Sequence, residues 1–122
     1  MKSYIAQCPI FSDKRGDLVV FQDKVPFEIK RSYVIQGKKN ISRGGHAHKT
    51  TFQALSCIHG SMSVSIYNNK LKKDILMPLN SKNDLLILFP EDWHELIFHS
   101  DAIVIVFASE IYNPKDYIYD KC

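Results

Sequence analysis

Cysteine is scarce in this chain. Cys8, Cys57 and Cys122 are odd in number and lack metal-type spacing, so they read as reduced thiols of a cytoplasmic protein. Cys57 lies in an apolar strand and is expected in the core. Long apolar runs are missing as well: none reaches the length of a membrane span. Met1-Lys2-Ser3-Tyr4 is not followed by the apolar core of a secretory signal. No Gly-rich dinucleotide fingerprint occurs, and no nicotinamide or other cofactor is expected. Basic residues are not massed. Lys38-Lys39, Lys70 and Lys72-Lys73 are scattered, and a net charge of +3 is too mild for a broad nucleic-acid face. Nucleic acid and membrane are therefore not expected partners. No repeat, low-complexity tract or linker divides the chain.

What remains is a single globular domain over residues 1–122, 45% hydrophobic and 24% charged. It reads as strand after strand. Asp17 to Asp23 is β-rich behind the turn Asp13-Lys14-Arg15-Gly16. In Ile29 to Gln36, residues Ile29, Arg31, Tyr33 and Ile35 share one face. A strand carrying His46 and His48 follows, then Phe52 to Ile58 and the turn His59-Gly60. Met62, Val64 and Ile66 alternate with serines, as a half-buried strand requires. Asn68-Asn69 closes a hairpin with Lys72 to Met77. Asp84 to Phe89, Trp93 to Phe98 and Ala102 to Ser109 complete the set. Asn113 to Asp116 suits one helical turn, and Tyr112, Tyr117 and Tyr119 suit a tail packed on the body or on a partner chain. Short strands at roughly ten-residue spacing predict an all-β sandwich or barrel.

The densest chemistry is Arg43-Gly44-Gly45-His46-Ala47-His48. Strand alternation points both histidines one way, and the glycines permit positive φ just before them. The pair suits a metal or a proton relay. The pattern resembles metal-binding cupins, which add a glutamate and a late histidine. Gln53 stands in the glutamate's place, and a neutral amide is a poor ligand. His94 is the candidate late histidine, yet His94 and His99 lie near Glu91, Glu95 and Asp101 and read as rim residues. A proton relay needs less: imidazole exchanges a proton near neutral pH. Arg43 offers a fork of donors for phosphate or an enolate oxygen. Tyr33 can hydrogen-bond a sugar oxygen.

Phe11-x-Asp13-x-Arg15-Gly16-x-Leu18, Val25-Pro26-Phe27-x-Ile29-x-Arg31-x-Tyr33 and Arg43-Gly44-x-His46-Ala47-His48-Lys49 resemble the nucleotide-sugar 3,4-ketoisomerases of the FdtA/QdtA/WxcM type. Gln53, Gly60-Ser61, Trp93, Ala108-Ser109, Tyr112 and Asp116-Tyr117-Ile118 agree in order. The resemblance implies a metal-free, cupin-type (jelly-roll) β-barrel that converts a dTDP-4-keto-6-deoxyhexose to its 3-keto isomer. It places that step on the way to deoxyaminosugars of bacterial surface glycans. It implies a homodimer, often with exchanged N-terminal strands. It carries catalytic roles onto His46, His48 and Tyr33, and substrate contacts onto Arg43, Arg31, Gln53 and Trp93. Rival readings are a metal-dependent cupin enzyme, a nucleotide-sugar 3,5-epimerase and a non-catalytic sugar-binding barrel.

Overall fold

The computed structural model describes residues 1–121; the expected thiol of Cys122 lies outside the described residues. In chain order the strands are β1 (Tyr4–Gln7), β2 (Ile10–Asp13), β3 (Gly16–Val19), β4 (Arg31–Gly37), β5 (Arg43–His48) and β6 (Gln53–His59). Then come β7 (Met62–Asn68), β8 (Lys73–Leu79), β9 (Asp84–Leu88), β10 (His94–Phe98), β11 (Ala102–Ala108) and β12 (Tyr117–Ile118). A single 3₁₀ turn, Pro114–Asp116, precedes β12. Its Asn113 side chain accepts from the Lys115 amide, the capping bond that ends the preceding extended backbone.

The expected all-β jelly roll is present. One antiparallel sheet runs β1-β9-β6-β11-β4 and the other β12-β5-β10-β7-β8. No ladder joins the two sheets among the described residues, so the jelly roll is a sandwich rather than a closed barrel. β2 and β3 form a separate hairpin that pairs with no other strand among the described residues. Its apolar side chains Phe11 and Leu18 are 64% and 59% exposed. Among the described residues no helix is long and apolar enough to cross a membrane.

Alternation builds the core. Met62, Val64 and Ile66 of β7 turn inward and are fully buried, opposite Val104 and Val106 of β11 and Leu86 and Leu88 of β9. Each such side chain contributes about 1.5–3 kcal/mol on burial. Phe98 fills one end so closely that a Cβ on Gly37 would overlap its ring, which explains a glycine at the end of β4. Cys8 and Cys57 are buried free thiols. Burial pushes both thiols up from their ordinary value, which keeps them unreactive.

Two local expectations need correction, and one strand comes in addition to those expected. β3 stops at Val19, short of Asp23, which takes a positive φ of 64° within a turn. Ile29 precedes β4 and is 46% exposed, so it does not share the inward face of Arg31, Tyr33 and Ile35. Tyr4–Gln7, which carries no turn signal or clear alternation, pairs with β9 as an edge strand.

Candidate active site

The site is built where β5 meets β10. His94 lies opposite His46, yet Glu95 lies opposite Gly44, so β5 holds one extra residue there. The bulge is carried by Gly44 and Gly45, with φ of +91° and +76°. His46 and His48 follow it and point to the sandwich interior, as the strand period requires. Pairing of β5 with β10 brings in His94. The ring of His46 is edge-on to His48 at 5.0 Å and to His94 at 5.2 Å, while His48 and His94 lie nearly parallel at 6.1 Å. Tyr117 of β12 closes over both β5 histidines, 4.8 Å from His46 and 4.6 Å from His48.

The three imidazoles open onto a cavity of about 500 Å³. Arg31, Tyr33, Arg43 and Gln53 share its wall, and Leu55, Leu96 and Val106 supply apolar lining. Gln53 Nε2 donates to the Tyr33 hydroxyl oxygen at 2.9 Å, which leaves the phenolic proton available to the cavity. Arg31 lies over the rings of Tyr33 and Tyr112 at 5.2 and 5.7 Å, and its buried Nε has no partner. Behind His48, Nδ1 lies 3.1 Å from Asp116 Oδ2. The same carboxylate receives the Thr50 amide at 2.8 Å, the Thr50 hydroxyl at 2.9 Å and the Thr51 hydroxyl at 2.5 Å. His48 Nε2 is buried without a hydrogen-bond partner among the described residues.

All three histidines are held neutral. Burial pushes His94 down to about 4, and its bond to the Asp92 carbonyl (3.0 Å) only partly opposes this. Burial also lowers His46, helped by His48 and opposed by a bond to the Gly44 backbone. In His48 burial lowers the pKa, while the bond to Asp116 and the charge of Asp116 pull it back. Burial works to raise Asp116, but its bonds from Thr51, Thr50 and His48 outweigh that and hold it at about 2. The result is an ionised carboxylate behind a neutral imidazole. Burial raises Tyr33, so its phenol keeps its proton.

His46, His48, Tyr33, Arg43, Arg31 and Gln53, all singled out in the sequence, meet in this one cavity. His94 does too. It is 3% exposed rather than a rim residue, because its ladder position faces inward against His46. His99 instead bonds Ser63 at 2.9 Å, and His59 is exposed. Trp93 lies outside the cavity: adjacent to His94, it takes the opposite side and donates its indole N–H to the Tyr119 carbonyl at 3.0 Å. Trp93 therefore does not line this cavity. Asp116 and Tyr117 were missed as site residues. Their only sequence signal was the motif Asp116-Tyr117-Ile118, which carried no role. His46, His48 and His94 are also the residues that could hold a metal ion, with one nitrogen from each lying within 4.8 Å of the others. The carboxylate ligand of cupin metal sites is lacking at Gln53, whose amide is committed to Tyr33.

Fold and site together define a cupin-type jelly-roll protein with an imidazole- and arginine-lined pocket for a small molecule. The family model FdtA, described as WxcM-like, C-terminal, matches residues 1–122. A curated relative, the TDP-4-oxo-6-deoxy-alpha-D-glucose-3,4-oxoisomerase of Aneurinibacillus thermoaerophilus, is 39% identical over 115 residues, covering 89% of this chain and 81% of the relative. A 3,4-ketoisomerase from Helicobacter canadensis superposes with a TM-score of 0.90 at 35% identity, covering 98% of this chain and 92% of that one. QdtA, a sugar 3,4-ketoisomerase from Thermoanaerobacterium thermosaccharolyticum solved with TDP, gives 0.89 at 30% identity, covering 97% and 88%. The chain belongs to the FdtA family.

Proposed function

We propose that this protein is a 3,4-ketoisomerase that converts a dTDP-4-keto-6-deoxyhexose to the dTDP-3-keto-6-deoxyhexose. The observation that carries the reading is the cavity itself, where neutral imidazoles stand beside two arginines and a protonated phenol. Moving a ketone from C4 to C3 requires removal of the C3 proton, an enediol, and delivery of a proton to C4. The hydroxyl proton also passes from one sugar oxygen to the other. His48 Nε2 is an unpartnered buried acceptor and takes the carbon-bound proton. A neutral imidazole that has gained this proton is a competent acid for its return. His46, edge-on to His48, moves the oxygen-bound proton or orients its neighbour. The Tyr33 hydroxyl, free to donate, bonds a sugar oxygen. Arg43 holds the pyrophosphate or offsets enediolate charge, and Arg31, its Nε unpartnered, supplies a second cation.

The working unit spans residues 1–122 and acts in the cytoplasm, as a step towards deoxyaminosugars of surface glycans. It is a homodimer. The unpaired β2–β3 hairpin, with Phe11 and Leu18 on its surface, supports an apolar contact with a second copy. The decisive experiment is incubation with dTDP-4-keto-6-deoxyglucose and NMR of the product. A product whose ketone stands at C3 is expected. A product that keeps its C4 ketone with inverted C3 or C5 would be an epimerase's and would overturn the reading.

A further inference from the structure

Asp116 is assigned no role by the chemistry so far, yet both of its carboxylate oxygens are held by polar partners. Oδ1 receives two donors from Thr50, one of them a backbone N–H, which cannot turn round and accept. Oδ2 receives the Thr51 hydroxyl and faces His48 Nδ1 at 3.1 Å. Four polar contacts therefore fix both the plane and the charge of this group, which is 8% exposed. Its backbone is fixed as well: the carbonyl accepts from the Lys49 amide at 2.7 Å, and β12 pairs with β5 from Tyr117 onward. An ionised carboxylate only accepts. The imidazole nitrogen facing it must then be the N–H, and the lone pair is driven to the other nitrogen.

We infer that Asp116 is a positioning residue that sets the tautomer of His48, so that the bare nitrogen, Nε2, is the one turned to the substrate. The inference deepens the isomerase reading, since it names what makes His48 a base rather than a donor. The base thus depends on a residue 68 positions away, delivered by the 3₁₀ turn that leads into β12. The arrangement also predicts the effect of Asp116→Asn. The Thr50 amide still needs an acceptor where Oδ1 now lies, so the amide oxygen of the introduced side chain takes that place. The amide NH₂ is left facing Thr51 and His48. It donates to Nδ1, and the His48 proton moves to Nε2, where the substrate proton should be received.

The test compares the parent protein with Asp116→Asn by ¹⁵N NMR of the histidine rings and by turnover of dTDP-4-keto-6-deoxyglucose. In the parent, His48 is expected to carry its proton on Nδ1 at neutral pH. In Asp116→Asn it should carry it on Nε2, with kcat reduced by about 10²–10⁴ and KM changed far less. The acid limb of the residual rate should move to lower pH, because the Asp116 bond and charge that raise His48 are gone. A role in packing alone would lower the melting temperature and leave the tautomer and the pH limb unmoved, which would overturn the inference. So would an Nε2 proton in the parent, which can be read even where the variant fails to fold. A parent with the Nδ1 proton but no turnover upholds the tautomer assignment and refutes the isomerase reading instead.

Discussion

Acid should weaken this protein well above the pH at which its carboxylates titrate, and His94 sets much of the effect. The ring is 3% exposed and its pKa lies at about 4, against 6.5 in the unfolded chain. Below pH 6.5 the unfolded chain takes up a proton that the native state refuses until about pH 4. The unfolded state then binds more protons, and stability falls as pH falls. The contribution is complete above 6.5, is lost on the way down to about 4, and changes no further below that. The shift of about 2.5 units corresponds to roughly 3 kcal/mol, with roughly 2 kcal/mol already gone at pH 5. That is a large share of the about 5–15 kcal/mol that holds a typical domain together. Urea unfolding at pH 7.5, 6 and 5 measures it. His94→Gln cannot titrate, and its stability should decline less steeply over the same interval. His46 and His48 are also lowered by burial, but they remain in the variant, so the difference between the two slopes isolates His94. His94→Leu serves where glutamine fails to fold. Parallel slopes in parent and variants would refute the reasoning.

His48→Asn should lower isomerisation by about 10²–10⁴ while dTDP binding, measured by calorimetry, stays near the parent's because Arg43 and Arg31 are untouched; near-normal turnover would take the base role from His48. Exhaustive chelation should leave activity intact, and a loss restored by added zinc would make the three-histidine cluster a metal centre. Gly60 has a φ of +87°, and a Cβ there would overlap the Asp101 carbonyl oxygen, so Gly60→Ala should cost at least about 2 kcal/mol in urea unfolding. An unchanged midpoint would show that the β6–β7 turn can relax at no cost.

Period-two alternation made most of the fold readable. Met62, Val64 and Ile66 announce an inward face, and all three are fully buried. Arg31 and Tyr33 were legible for the same reason, and so were His46 and His48. What escaped depends on pairing between distant strands. Nothing near His94 in sequence says that it will lie opposite His46; its acidic neighbours suggest a surface instead. The ladder of β10 with β5 decides it. Trp93, the neighbour of an inward residue, faces away from the histidine cavity for the same reason. Asp116 is invisible as a site residue until Thr50, Thr51 and His48 converge on it from the other end of the chain. The sandwich in place of a closed barrel reflects the lack of any ladder between its two sheets among the described residues, which a list of strands cannot reveal.

The bulge at Gly44-Gly45 acts on Arg43 more than on the histidines. Arg43 and His46 are three positions apart, an odd interval, and in an unbroken strand they would face opposite sides. The added residue changes the parity, so guanidinium and imidazole reach the same cavity. The proposed anion-binding and proton-transfer groups are thereby written on β5 in two different phases, joined by a one-residue shift. Straightening the bulge with every residue kept would leave the histidines where β10 and β12 hold them and turn the arginine to the opposite face. The same strand would keep its imidazoles in the cavity and lose the guanidinium proposed to hold the nucleotide.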